Sequence, residues 1–172
     1  MQGIGDFRES SIRVKDKNGH SQVKLEYKSH KIYKGKLEPR NLSRTFGEED
    51  ECTSLEITCM DTFLNLEVVL VYTVFEDLDA ITRSVIVKNL SEDSIKLTKV
   101  LSSCVQLEGT DLDMISLHGA WARERFVQRK HVGIGKNKVE SIRGETSHQD
   151  HPFIAVLDKN ATEDHGNVYG FN

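Results

Sequence analysis

Residues 66–75 read LEVVLVYTVF, a run dominated by β-branched and aromatic side chains. Such side chains fit a pleated, half-buried surface, so the run predicts a strand rather than a helix. The turn residues Asp77-Leu78-Asp79 follow, and residues 80–89 predict a second strand antiparallel to the first. A third strand is predicted over residues 95–107, so the three consecutive strands would form a meander.

The rest of the chain continues the β pattern. Asn18-Gly19 lies between strand-like segments at 11–14 and 23–28, and Asn-Gly favours a hairpin because both residues tolerate a positive φ. Further strands are predicted at 54–60, 152–157 and 168–171. No stretch of about eleven residues or more keeps a helical period. The sequence therefore predicts an all-β fold, an antiparallel two-sheet β-sandwich in which residues 1–172 form one domain.

Composition excludes several classes of function. The net charge is −4 and the Lys and Arg residues are scattered, whereas nucleic-acid binding needs a clustered basic face. No apolar run is long enough to cross a membrane, and the first residues do not resemble a signal peptide. The three cysteines, Cys52, Cys59 and Cys104, lack metal-binding spacing. They are expected to be reduced, mostly buried thiols of a cytoplasmic protein, with Cys104 in a core strand.

Residues 119–125 read GAWARER and contain the only tryptophan, Trp121. An indole offers a large flat apolar face and one N–H donor, which suits stacking against the C–H face of a sugar ring. The neighbouring Arg and Glu side chains could hydrogen-bond the sugar hydroxyls. The alternative is that Trp121 packs in the core beside a solvated rim of charge, and composition by itself favours this alternative.

Other candidate sites are weaker. His148 and His151 lie in a predicted loop before a strand, and on a strand they would point to opposite faces, so turn and surface polar residues are favoured over a metal site. Residues 133–136 (GIGK) lack the spacing of a phosphate loop, and no G-x-S-x-G motif occurs. Acidic pairs such as Asp111 and Asp113 are interpreted as loop charge, because adjacency in sequence does not place two carboxylates across one bond. The sequence therefore predicts no catalytic residue, no metal and no cofactor in this chain.

Several segments, in this order along the chain, are similar to those of one family. They are residues 5–8 (GDFR), 29–36 (SHKIYKGK), 53–57 (TSLEI), 66–68 (LEV), 72–77 (YTVFED), 81–84 (ITRS), 119–125 (GAWARER), 143–144 (RG), 147–149 (SHQ), 152–153 (PF) and 168–171 (VYGF). Together they resemble the N-terminal β-supersandwich domain of bacterial α-galactosidases of glycoside hydrolase family 36. This chain departs from the family pattern at Phe126 and at Asp150-His151.

The resemblance implies a division of labour. In the family this domain precedes a (β/α)₈ barrel, whose two aspartates cleave terminal α-galactosyl residues of melibiose and raffinose-type sugars by retention. No barrel is present in this sequence, so the chain is expected to be an inactive fragment of a larger glycosidase. One partner of the domain would be the missing barrel. The full-length proteins of the family often assemble as homo-tetramers, so further copies of the protein would be partners as well. The domain would shape the substrate pocket and the oligomer interface.

The family's Gly-Ala-Trp tryptophan, which contributes to the galactose pocket, falls on Trp121. A substrate-contacting aspartate that lies upstream in the family has no counterpart here. Two other functions stay open for the chain: a stand-alone carbohydrate-binding module, and a structural or interaction domain.

Overall fold

The structure, a computed structural model, describes residues 9–38, 44–143, 146 and 148–172. Within these ranges it contains ten strands and no helix, and every strand pairing is antiparallel. The all-β prediction is therefore confirmed. The strands are β1 (Ile12–Lys15), β2 (Glu26–Lys34), β3 (Thr53–Asp61), β4 (Leu66–Phe75), β5 (Ala80–Asn89), β6 (Lys96–Val100), β7 (Leu112–Ala120), β8 (Arg123–His131), β9 (Asp150–Asp158) and β10 (Val168–Phe171).

The chain divides into two compact units, Met1–Val105 and Gln106–Asn172. The first unit holds a four-stranded sheet in the order β2-β3-β4-β5 and a two-stranded ribbon of β1 and β6. The second unit holds a four-stranded sheet in the order β10-β9-β7-β8. Two four-stranded antiparallel sheets are thus present, together with the two-stranded ribbon. The segment 5–8, part of the resemblance to family 36, lies outside the described residues.

Strand β4 lies inside the four-stranded sheet of the first unit and has the bounds that the sequence predicts. It pairs along its whole length with β3 on one side and with β5 on the other. The side chains of Leu66 and Val68 are buried on one face of β4, where they pack with Val14 and Leu64. Because β1 supplies Val14, it covers that face of the sheet.

The prediction of the third meander strand, over residues 95–107, is wrong in both the length of the strand and its pairing partner. β6 spans only Lys96–Val100 and pairs with β1 rather than with β5. The turn after β5 is closed by side chains: Asn89 Nδ2 donates to the Asp93 carbonyl at 2.7 Å, and Asn89 Oδ1 accepts from the Ser91 amide at 3.1 Å. Ile95 then packs against the cluster around Val14, which brings β6 beside β1.

The turn at Asn18-Gly19 forms, but the predicted hairpin does not. Gly19 has a φ of +86°, and its amide donates to the Asp16 carbonyl at 3.1 Å. The Asp16 carboxylate accepts from the amides of Asn18 and His20, so the loop closes on itself. The flanking strands β1 and β2 consequently pair with β6 and β3 instead of with each other.

The cysteines differ in environment. Cys52 is buried, and burial raises the pKa of its thiol, while Cys59 is half-buried. Cys104 is exposed in the irregular segment between β6 and β7, so the prediction that it lies in a core strand is wrong. This segment pairs with no strand in the described structure, so its side chains are not buried against a sheet. The described part of the chain has no helix long and apolar enough to span a membrane.

Candidate functional site

Trp121 lies at the tip of the hairpin formed by β7 and β8, called here the Trp121 hairpin. Its turn contains only Trp121 and Ala122, because Ala120 pairs directly with Arg123. The Trp121 side chain is 83% exposed, so it does not belong to the core of this chain. β8 is an edge strand, and the hairpin tip presents the indole to solvent.

The backbone around Trp121 is strained. Ala122 and Arg125 both adopt the left-handed region, with φ values of +62° and +61°. For residues with a Cβ such conformations cost of order 1–3 kcal/mol each, and they cluster where a structure presents a functional group. Arg125 is part of a bulge, since Glu124 and Arg125 of β8 stand opposite the single residue Gly119 of β7. Bulges of this kind are frequent beside active sites because they redirect a side chain.

Gly119 is required by this bulge. A Cβ at Gly119 would lie 2.2 Å from the carbonyl oxygen of Arg123 and 2.8 Å from the Cα of Glu124. Both are backbone atoms of the facing strand, so no side-chain movement could relieve the contact. The Gly119 amide donates to the Gln149 carbonyl at 3.3 Å, which ties this end of β7 to the start of β9.

A polar array next to the hairpin tip escaped the sequence analysis. Ser116 Oγ lies 2.7 Å from His118 Nε2, and His118 Nδ1 lies 2.6 Å from Asp150 Oδ1. The order of the three groups is that of a hydrolytic triad. However, Ser116 is fully buried at 0% exposure, so no substrate can reach its hydroxyl. The array is therefore a link between β7 and β9 and not a nucleophilic site.

Arg129 fastens the other end of edge strand β8. Its Nε donates to Asp113 Oδ2 at 2.7 Å, and its terminal nitrogens donate to the carbonyls of Ala161 at 2.9 Å and Lys159 at 2.6 Å. These bonds join β8 to β7 and to the turn after β9. Asp113 is engaged by Arg129, and Asp111 accepts from Lys159 at 3.2 Å. The interpretation of the Asp111/Asp113 pair as loop charge is wrong for Asp113, which is buried within β7.

Asp113 gives a pH dependence that can be tested. The hydrogen bond from Arg129 lowers the pKa of the Asp113 carboxyl below its usual range. A folded-state pKa below the unfolded value means that the stabilisation is present above pH ~4 and is lost as the pH falls through the folded pKa. We therefore expect the urea midpoint of the chain to fall below pH ~4, and this acid loss to be smaller in Asp113→Asn. The exposed neighbour supplies the control, since Asp111→Asn should keep the acid loss of the parent chain. An identical acid profile for Asp113→Asn and the parent would contradict the assignment.

The other sequence candidates do not converge. His148 lies in the turn before β9 and His151 within it, and the described residues include no cluster of three or more groups able to hold a metal. Gly133 and Gly135 lie in an irregular segment after β8 with no helix behind them, so the arrangement of a phosphate loop is not formed.

The comparisons place these features in a family. The Glycosyl hydrolase family 36 N-terminal domain matches residues 1–172. Alpha-galactosidase AgaA of Geobacillus stearothermophilus is 43% identical over 171 residues, which are 99% of this chain and 24% of that protein. Alpha-galactosidase Mel36A of Lactobacillus acidophilus is 38% identical over 170 residues, covering 98% of this chain and 23% of that protein.

Solved structures agree with the sequence comparisons. A variant of AgaA in complex with raffinose superposes with a TM-score of 0.95 at 43% identity, covering 99% of this chain and 24% of that one. The alpha-galactosidase from Lactobacillus brevis gives a TM-score of 0.95 at 32% identity, covering 100% of this chain and 23% of that one. The chain thus spans about a quarter of the length of the relatives it matches. The chain therefore belongs to glycosyl hydrolase family 36 and corresponds to the N-terminal domain of that family's proteins.

Proposed function

We propose that residues 1–172 form one β-sandwich domain of a longer, cytoplasmic α-galactosidase that removes terminal α-galactosyl residues from raffinose-type sugars and melibiose. The relatives are named alpha-galactosidases, and one was solved with raffinose. Because the chain covers about a quarter of them, the catalytic carboxylates would lie in the remaining polypeptide. For retention these carboxylates must stand about 5–5.5 Å apart across the scissile bond.

The role proposed for this domain is to supply one wall of the galactose pocket through Trp121. The observation that carries the proposal is the exposure of this indole, 83%, on a strained hairpin anchored at both ends. An exposed indole can stack on the C–H face of a galactosyl ring and donate its N–H to a hydroxyl. It can transfer no proton at neutral pH, so its contribution is to bind and orient the substrate.

The edge of the same sheet supports a second role, in assembly. Phe126 and Val127 of β8 are 62% and 69% exposed, and β8 has no strand on its outer side in the described residues. Edge strands that carry apolar side chains are usually covered in the assembled protein. We propose that the barrel, or another subunit of a homo-oligomer such as a tetramer, covers this edge.

The first experiment compares the 172-residue chain with the complete polypeptide encoded by its gene, using a nitrophenyl α-galactoside. We expect turnover by the complete protein and none by the chain above a buffer blank. Turnover by the chain alone would place catalytic groups within it and contradict the proposal. Absence of turnover by the complete protein would refute the α-galactosidase assignment.

The exposed tryptophan also makes a stand-alone sugar-binding module worth testing. Trp121 is the only tryptophan of the chain, so its fluorescence reports on this site alone. One stacking face without the rest of a pocket should not overcome the entropy cost of association. We therefore expect no saturation when the chain is titrated with galactose up to millimolar concentrations. Saturable binding in that range would favour the module.

A further inference from the structure

The β7–β9 ladder is interrupted near the hairpin tip. Ser116 pairs with Ile154, and the next pair is His118 with Asp150, so one β7 residue stands opposite three β9 residues. One of these three is Pro152, which has no backbone N–H to donate. Backbone hydrogen bonds alone therefore hold the two strands less firmly at this point than elsewhere in the sheet.

Side chains bridge this interruption. Ser116 and His118 lie two apart on β7 and share one face, while Asp150 reaches across from β9. Because a carboxylate only accepts, His118 donates from Nδ1 to Asp150, and its Nε2 forms the second hydrogen bond, to the Ser116 hydroxyl. Both ring nitrogens are then engaged, which fixes the ring and through it the strand. The Gly119–Gln149 backbone bond adds a further link beside it.

The Trp121 hairpin lies next to this link along β7. Among the residues that the structure describes, β8 is at the edge of the sheet and pairs with β7 alone. The direction of the tip is therefore set by β7, whose end is held by β9 through the three groups. His118 precedes Trp121 by only three residues.

We propose that Ser116, His118 and Asp150 form a positioning array that sets the orientation of Trp121 toward the galactosyl ring. The proposal rests on the proposed function for its link to the sugar. Positioning itself is a property of the chain and can be measured without substrate.

The first arm of the test follows Trp121 in the 172-residue chain by time-resolved fluorescence anisotropy. We expect His118→Leu and Asp150→Ala to increase the fast local motion of the indole. His165→Leu is the matched control, because His165 Nδ1 lies 2.9 Å from Thr162 Oγ1 in an exposed turn of the same unit. Far-UV circular dichroism identifies any variant that has lost the fold. Unchanged indole motion in both folded array variants would overturn the proposal.

The second arm measures kcat and KM of the complete enzyme with a nitrophenyl α-galactoside. We expect His118→Leu to raise KM by about tenfold with a smaller change in kcat, since small misplacements of a substrate-positioning group have large effects. His118→Asn, which keeps a donor for Asp150, should recover part of the loss. In the Trp121→Ala background His118→Leu should change KM little further, because the two residues act through the same contact.

The outcomes separate the two proposals. If His118→Leu raises KM equally in the presence and in the absence of the Trp121 side chain, the array affects KM independently of Trp121. That result overturns the positioning role. If Trp121→Ala leaves KM unchanged, the sugar-contact function fails, whereas the anisotropy arm still decides whether the array orients the indole.

Discussion

Replacing Gly119 with alanine is expected to open the end of the Trp121 hairpin. The added Cβ would lie 2.2 Å from the Arg123 carbonyl oxygen, and the strand must shift to accommodate it. Overpacking a well-fitted position costs about 1–3 kcal/mol, and a clash with the backbone of the facing strand should reach at least the upper end of that range. Urea denaturation of the chain, followed by Trp121 fluorescence, measures this loss directly.

A second glycine of the same unit provides the control. A Cβ at Gly133 would meet nothing within 4 Å, so Gly133→Ala should change the unfolding free energy by less than about 0.5 kcal/mol. In the complete enzyme Gly119→Ala should also abolish most activity, because the indole loses its support. Equal stability of the two variants would show that the bulge at Gly119 is not as tight as described.

Replacing Trp121 with alanine is expected to affect function far more than stability. The side chain is 83% exposed, so the unfolding free energy of the 172-residue chain should change by less than about 0.5 kcal/mol. In the complete enzyme the loss of one stacking face should lower kcat/KM by roughly 10- to 100-fold, which corresponds to about 1.4–2.8 kcal/mol. Steady-state kinetics with raffinose and urea denaturation of the chain measure the two effects separately.

Two further variants make the result specific to the indole. Trp121→Phe retains a flat apolar face and should keep a large part of the activity. Tyr169→Ala removes another exposed aromatic, on strand β10 at the opposite edge of the same sheet, and should leave kcat/KM unchanged. A large loss of chain stability in Trp121→Ala, with kcat/KM intact, would instead assign Trp121 a packing role.

The strands were easier to predict than their partners. β4 and β5 begin and end where the sequence predicts, because a dense run of β-branched residues and a short polar turn are local signals. The pairing of β6 with β1 could not be predicted in this way. It depends on where Ile95 packs, and that contact joins residues more than 80 positions apart in sequence.

The same distinction holds for the candidate site. Trp121 is identifiable from the sequence because it is the only tryptophan and lies in a charged, glycine-containing segment. The positioning array cannot be identified from the sequence, because Asp150 is 32 residues from His118 and contacts it only through the irregular register of β7 and β9. A Ser-x-His pattern two residues apart on a predicted strand is the single local signal, and it does not identify the acidic partner.

We propose that this domain brings an indole to the sugar while other polypeptide cleaves the bond. A crystal structure of the complete enzyme with raffinose would show whether the two meet. We expect ring atoms of Trp121 within about 4 Å of the galactosyl C–H face, the distance of an apolar contact. A galactosyl ring bound in the active site without contact to Trp121 of any subunit would contradict it.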